Sequence, residues 1–199
     1  MLEPVTLNGR CVRLEPLSLH HVDGLCDIGL DAGLWRWTPQ QIVTREQLRA
    51  YIEDALRERE QGRSLPFAIV SVADERVAGC TRFGNIDLAN KRLEIGWTWL
   101  GKAWQRTAVN TETKLLLLGH AFETLGCHRV ELKTDALNTR SRNAILRLGA
   151  KEEGTLRKHM VTDSGRVRDT IYFSMLDDEW QHVKSRLEDR LRNPSAIPG

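Results

Sequence analysis

Residues 92–126 constrain the fold more than any other stretch. The run RLEIGWTWL (92–100) reads as a strand, and GKAWQRTAVN (101–110) follows it as a polar connector. Next comes an apolar helix carrying Leu115, Leu118, Ala121, Phe122 and Leu125, closed by Gly126. Strand, loop and helix in direct succession aim backbone N–H groups at one point in front of the helix, an arrangement suited to an anionic ligand.

The flanking sequence surrounds this unit with more strands and helices. CVRLEPL (11–17) alternates apolar and polar until Pro16, as a half-buried strand does. Ser18 caps a helix with Leu19, Val22 and Leu25, which the stretch Trp35 to Pro39 breaks. Thr44 and Gln47 form a capping box ahead of a second helix with Leu48, Tyr51, Ile52, Ala55 and Leu56, ended by Gly62. PFAIVSVA and RVAGCTRFGNI then join the 92–100 strand through turns at Asp74-Glu75 and Asn90-Lys91, predicting an antiparallel meander. Downstream lie a strand (HRVELKTD), a short helix from Asn138 to Leu148 with Gly149 beyond it, and two strands around Asp163-Ser164-Gly165. A last helix holds Trp180, Val183, Leu187 and Leu191. Hairpins mixed with crossovers predict an α/β (α+β) chain with a mixed sheet and helices on both faces.

Composition narrows the function classes. An apolar share of 41% and a charged share of 28% over 199 residues are enough for one ordinary core, and no composition break marks a linker. The expectation is one domain over 1–191 and a flexible tail over 192–199. A net charge of +2 selects no nucleic-acid partner. Cys11, Cys26, Cys80 and Cys127 stand far apart with no C-x-x-C pair, so no metal site is expected and free thiols in a reducing cytoplasm fit best. No export signal or eighteen-residue apolar run is present, so the protein reads as cytoplasmic, with no membrane partner. There is no G-x-S-x-G, P-loop, dinucleotide fingerprint or H-E-x-x-H.

Three local motifs resemble those of the GNAT superfamily of N-acetyltransferases, in its RimJ/RimL-type branch, from about Val12 to Trp180. The first is Gln105-Arg106-Thr107-Ala108-Val109-Asn110, followed by Thr111, set against the family's Q/R-x-x-G-x-G/A loop. Ala108 and Asn110 replace its two glycines; Asn tolerates left-handed dihedrals, and Asn110 alone also reads as a helix cap. The second is Asn138-Thr139-Arg140-Ser141, like the family's N-x-x-S helix start, and also ordinary helix capping. The third is Leu93-Glu94-Ile95-Gly96-Trp97, like its x-E-I-G-Y/W strand.

The resemblance implies the GNAT fold, with a central, mostly antiparallel, seven-stranded sheet, and acetyl-CoA (coenzyme A) as cosubstrate without a metal. It implies cofactor binding by Trp99, Leu100, Gln105, Arg106, Thr107, Ala108, Val109, Asn110, Thr111, Asn138 and Ser141. Glu94 is implied as the general base, which an ammonium acceptor needs before it can attack, and Ser141 is the candidate acid for the leaving thiolate. The branch's usual Glu after G-x-L-R/K is absent: Gly154-Thr155-Leu156-Arg157 leads to Met160 in its place, leaving His159 as a second candidate base. Trp97, Trp99 and Trp104 are expected to flank the cofactor cleft, and Trp35 and Trp37 to lid the acceptor. Arg140, Arg142 and Arg147 are read either as partners of the 3′-phosphate or as a solvated face.

The reaction implied is transfer of an acetyl group to a primary amine, most directly a protein or peptide N-terminus. A small-amine acceptor (antibiotic, polyamine) and a non-catalytic coenzyme A-binding module are the competing readings, and a homodimer is left open.

Overall fold

The computed structural model describes residues 2–193; residues 194–199, most of the expected tail, lie outside them. An eight-stranded sheet runs through the molecule in the order β1-β2-β3-β4-β5-β6-β8-β7. The strands are β1 (Leu7–Asn8), β2 (Val12–Pro16), β3 (Leu65–Ser71), β4 (Val77–Asp87), β5 (Arg92–Leu100), β6 (Arg129–Asp135), β7 (Lys151–Val161) and β8 (Val167–Leu176). Every neighbouring pair is antiparallel except β5 and β6.

The helices are α1 (Val22–Gly29), α2 (Ala32–Trp35), α3 (Arg45–Glu60), α4 (Ala108–Gly119), α5 (Thr139–Leu148) and α6 (Asp177–Arg192). Helix α4 is the crossover that makes β5 and β6 parallel, and it ends in a π turn over His120–Thr124. The capping box expected for α3 is present: Thr44 Oγ1 accepts from Gln47 N at 3.2 Å, and Gln47 Oε1 accepts from Thr44 N at 3.0 Å.

Alternation along the strands separates two cores. On one face Phe67, Phe83, Ile95, Leu117, Phe173 and Trp180 pack beneath α4 and α6. On the other, Leu25, Trp35, Leu48, Ile52, Cys80 and Trp99 pack beneath α1 and α3. The outer strand β7 is exposed along almost its whole length. Two register shifts and the charges of Lys151, Glu152, Glu153, Arg157 and Lys158 keep that edge from being a flat pairing template.

The sheet has one strand more than the seven expected. Leu7–Asn8 is too short to show a period, and its anchor is distant in sequence: the Glu112 carboxylate on α4 accepts the N–H groups of Arg10 (2.9 Å), Cys11 (2.6 Å) and Val12 (2.8 Å). Gly9 leaves room for this carboxylate, since a Cβ there would lie 2.6 Å from Glu112 Cδ. Helix α2 was also not legible; four residues carry no periodicity, and its cap, Asp31 accepting from Gly33 N at 2.8 Å, is local.

Burial drives the Glu112 carboxyl upward, but hydrogen bonds from Cys11 and the three backbone groups outweigh it and hold the pKa below the ordinary value. Its stabilisation is therefore present above the unfolded pKa and lost as pH falls through the folded one. Glu112→Ala orphans three N–H groups and is expected to cost about 2–4 kcal/mol, read as a lower urea midpoint at pH 7 with an unchanged m-value.

Candidate active site

Strands β5 and β6 pair only through Arg92, Leu93 and Glu94 with Arg129, Val130 and Glu131. Beyond Glu94 the two strands part. Strand β5 stays with β4 but bulges: Cys80 pairs with Trp99 and Arg82 with Gly96, so two residues, Trp97 and Thr98, face the single Thr81. Trp97 takes φ +51°, a left-handed conformation that costs a bulky residue on the order of 1–3 kcal/mol. A wedge thus opens in the sheet between β5 and β6, bounded by a strained strand.

Glu94 sits where the strands separate and is 1% exposed. Its Oε2 accepts from Asn85 Nδ2 at 2.7 Å and pairs with Lys133 Nζ at 2.9 Å. Oε1 instead lies over Gly96, whose missing Cβ would come within 2.7 Å of it. Lys133 also lies 5.5 Å from the centre of the Trp97 ring and 5.8 Å from that of Tyr172. His159 is exposed on β7, with its ring edge-on to Tyr172 at 5.9 Å.

The connector after β5 delivers the first turn of α4 to the mouth of the wedge. Thr107 is the N-cap, its Oγ1 accepting from Val109 N at 3.3 Å, and the helix starts at Ala108. This corrects the reading of Asn110 as a cap or a left-handed residue: Asn110 is helical, and the left-handed position is Arg106, at φ +60°. Ala108 and Asn110 therefore need no glycine for dihedral reasons. Arg106 and Thr107 are exposed, Ala108, Asn110 and Thr111 half-buried, and Val109 is buried in the core.

Gln105 ties this mouth to both neighbours. Its Nε2 donates to Leu100 O at 2.8 Å, and its Oε1 accepts from Arg140 Nη2 on α5 at 2.8 Å. Asn138 caps α5, Oδ1 accepting from Ser141 N at 3.1 Å. The two motifs, 33 residues apart from Gln105 to Asn138, thus meet across the opening. First-turn N–H groups of α4, with Arg106 and Arg140 beside them, fit a polyphosphate. Among the described residues, one group with metal-ligand types, Glu15, His20 and His21, gathers at the end of β2. There Glu15 is already paired with Arg13 at 2.7 Å.

The tryptophans divide differently from the expectation. Trp99 and Trp104 are core residues: Trp99 packs on Trp35 at 5.3 Å beneath α1, and Trp104 joins the core under α4. Only the backbone of Trp99 and Leu100 can line the wedge. Trp35 is equally buried, donating through Nε1 to Gly29 O at 2.7 Å. Trp97 and Trp37 stay outside the buried cores, with Trp97 packed against the second of them. Trp37 lies between Arg36 and Arg166, and its loop is held to the β7–β8 turn by Gln41 N on Asp163 Oδ2 at 3.0 Å.

A pocket of about 440 Å³ adjoins Trp97 under that loop. Its carboxylates, Asp54, Glu58 and Asp163, are matched by Arg57, Arg63 and Arg82. The Arg82 guanidinium is sandwiched between Tyr51 (5.0 Å) and Trp97 (4.9 Å) and pairs with Glu58 at 3.1 Å. At the C-terminal end of β6, buried Asp135 meets Arg166, with Arg168 at 3.8 Å.

Several of these groups escaped the sequence reading. Asn85, Arg82 and Arg168 acquire meaning only through cross-strand register. Lys114 carried a readable signal, since it falls on the same helical stripe as Leu117, Leu118 and Ala121, where a lysine is out of place.

Two strands parting beside a buried carboxylate, with a helix N-terminus at the mouth, make a site for a phosphate-bearing ligand next to a potential base. The comparisons agree. Residues 12–151 match the family described as "Acetyltransferase (GNAT) domain". YdaF of Bacillus subtilis (strain 168), named provisionally as a ribosomal N-acetyltransferase, is 32% identical over 111 residues, 56% of this chain and 60% of that protein's length. A GCN5-related N-acetyltransferase from Brucella melitensis superposes with TM-score 0.89 at 33% identity, covering 99% of this chain and 91% of that one. Mycobacterium smegmatis RimJ, solved with CoA-disulfide, superposes with TM-score 0.82 at 24% identity over 95% and 96% of the two chains, a likeness of fold. The chain belongs to the acetyltransferase (GNAT) family, whose enzymes take their acetyl group from acetyl-CoA. Among the described residues, no helix is long and apolar enough to cross a membrane.

Gly96→Ala tests the packing around Glu94. A Cβ 2.7 Å from Oε1 forces the carboxylate to move, and kcat/KM is expected to fall by about tenfold or more, measured by thiol release on any accepted amine.

Proposed function

We propose that the chain is a cytoplasmic RimJ/RimL-type N-acetyltransferase, acting as one domain over 1–191, that acetylates the N-terminal α-amine of a protein or peptide. The observation that carries the acceptor class is the charge balance of the groove. Glu94 is paired with Lys133, Glu131 opposite it on β6 with Arg92 and Arg129, and Asp135 with Arg166 and Arg168, while the adjoining pocket holds three carboxylates against three guanidiniums, so every carboxylate here is matched by a cation. A polyamine calls for an acidic groove, and this one is not acidic. A peptide N-terminus brings one cation followed by carbonyl groups that guanidinium and amide donors can meet. Four glutamines, Gln40, Gln41, Gln47 and Gln61, line the same pocket.

In this reading the tail of acetyl-CoA lies on Arg106 to Thr111, with Gln105 and Arg140 at the mouth and Asn138 and Ser141 along the arm. Glu94 takes the ammonium proton, directly or through water, from its Oε1 side. The freed nitrogen attacks the thioester carbon in a ternary complex; a C–N bond forms, the C–S bond breaks, and the electron pair leaves on sulfur. Ser141 is the proposed proton donor to that sulfur, and the proton shed by the newly acylated nitrogen passes through water to restore the serine hydroxyl. Lys133 and Asn85 hold the carboxylate in place, a level of support that a module which only binds coenzyme A has no need for.

The test is a panel of N-terminal peptides and small amines assayed for acetyl-dependent thiol release. Turnover on peptides and not on polyamines is the expected result; turnover on polyamines alone contradicts the acceptor assignment, and binding without any turnover contradicts catalysis. On the best acceptor, Glu94→Gln is expected to lower kcat about 10²–10⁴-fold while calorimetry shows acetyl-CoA bound as in the wild type. Asn138→Ala is expected to weaken both.

A further inference from the structure

Lys114, in the second turn of α4, has no part in the steps above, yet its side chain is buried at 6% exposure. Among the described residues it makes no ion pair; Nζ donates to Thr98 Oγ1 at 2.8 Å as its one hydrogen bond. Desolvation pushes its pKa down to about 7, and Glu94 on β5 is the one charged group acting on it in the opposite sense. Glu112, on the same helix, is turned to the Arg10–Val12 backbone instead. A buried lysine held this way is expensive, and an apolar residue of similar volume at a core position is often neutral or stabilising.

Its one contact opens a chain of hydroxyls that ends on one carbonyl. Thr98 Oγ1 accepts from the lysine and lies 2.7 Å from the Thr81 hydroxyl and 3.4 Å from the carbonyl of Gly96, so its single hydrogen serves one of these two. Thr81 in turn reaches the carbonyl of Gly96 at 3.4 Å. Gly96 stands at the β5 bulge, and its C=O belongs to the same planar trans peptide as the N–H of Trp97. Anchoring that oxygen from the Thr81 and Thr98 side points the Trp97 N–H the opposite way, and the lysine N–H donor at the head of the chain polarises the links below it.

We propose that Lys114 is a positioning residue for acyl transfer: through Thr98 and Thr81 it fixes the Gly96–Trp97 peptide where β5 leaves β6, so that the Trp97 N–H is aimed at the acyl oxygen. The inference rests on the acetyltransferase reading above. It also accounts for a lysine, rather than a leucine, on the buried stripe of α4, and for the strained dihedral of Trp97 that the bulge retains.

A structural role and a positioning role predict opposite stabilities. If Lys114 merely fills a polar gap, its removal lowers stability. If it is kept for catalysis at the expense of the fold, Lys114→Met raises the Tm of the free protein at pH 7. The sign of the linkage is fixed: the folded pKa lies below the unfolded one, so the wild type gains stability as pH rises from about 7 to about 10.5. The variant should lack that gain.

The experiment measures three quantities on wild type, Lys114→Met, Thr98→Val and the double variant: Tm of the free protein from pH 6 to 10, acetyl-CoA affinity by calorimetry, and kcat. Lys114→Met is expected to melt no lower than the wild type, to bind acetyl-CoA within about threefold, and to lose on the order of tenfold to a hundredfold in kcat. Thr98→Val should lose a comparable factor, with the double variant no slower than the slower single one. Wild-type kcat in Lys114→Met, a fall in its Tm, or additive losses in the double variant each overturn the proposal while leaving the acetyltransferase reading intact. A wild type that releases no thiol on any acceptor overturns both.

Discussion

The parting of two parallel strands is the constraint on which the rest depends. Parallel neighbours must be joined by a crossover, and here that crossover is α4, whose first turn arrives at the place where β5 leaves β6. Had β5 and β6 stayed paired along their length, the wedge would be filled by ladder hydrogen bonds and α4 would face a closed sheet. Separation after Glu94 leaves backbone for a ligand to pair with and room beside a carboxylate. The bulge at Trp97 and Thr98 lets β5 remain bound to β4 while it turns away from β6.

A sheet opened in this way exposes its interior to polar chemistry, and buried charges gather along the opening rather than throughout the core. Glu94 with Lys133, Asp135 with Arg166, and Arg82 with Glu58 are each satisfied pairwise. Ion pairs at this depth add little stability, because desolvation consumes most of the Coulomb gain. They instead make each side chain's position depend on its partner's. The indole of Trp97 is the common wall, with Arg82 and Lys133 both within cation–π range of its ring. Gly84 allows that wall to stand, since a Cβ there would collide with the indole.

Much of this was legible in the sequence where the physics is local. The Thr44–Gln47 box, the meander of β3 to β5, the α4 crossover and the Asn138 cap all follow from spacing and turn chemistry. What was not legible depends on register between distant segments. Alternation places Glu94 on a strand but cannot show Lys133 or Asn85 beside it, since those contacts are set by the register of β5 against β6 on one side and β4 on the other. Trp99 and Trp104 were assigned to the cleft from proximity in sequence, yet strand alternation and the 3₁₀ turn over Lys102–Trp104 send both rings into the core. The loop glycines were misjudged for a related reason. With Thr107 as the cap, Asn110 falls inside the helix and the left-handed position is Arg106.

The carboxylate that grips the Arg10–Val12 turn has a mechanical corollary. Glu112 lies one turn beyond the start of α4, so the same helical segment whose first turn is proposed to meet a phosphate tail carries the first strands of the sheet on its flank. The edge hairpin and α4 are thereby coupled through three hydrogen bonds, so a displacement of the helix is borne in part by the turn that joins the first two strands, at the edge of the sheet.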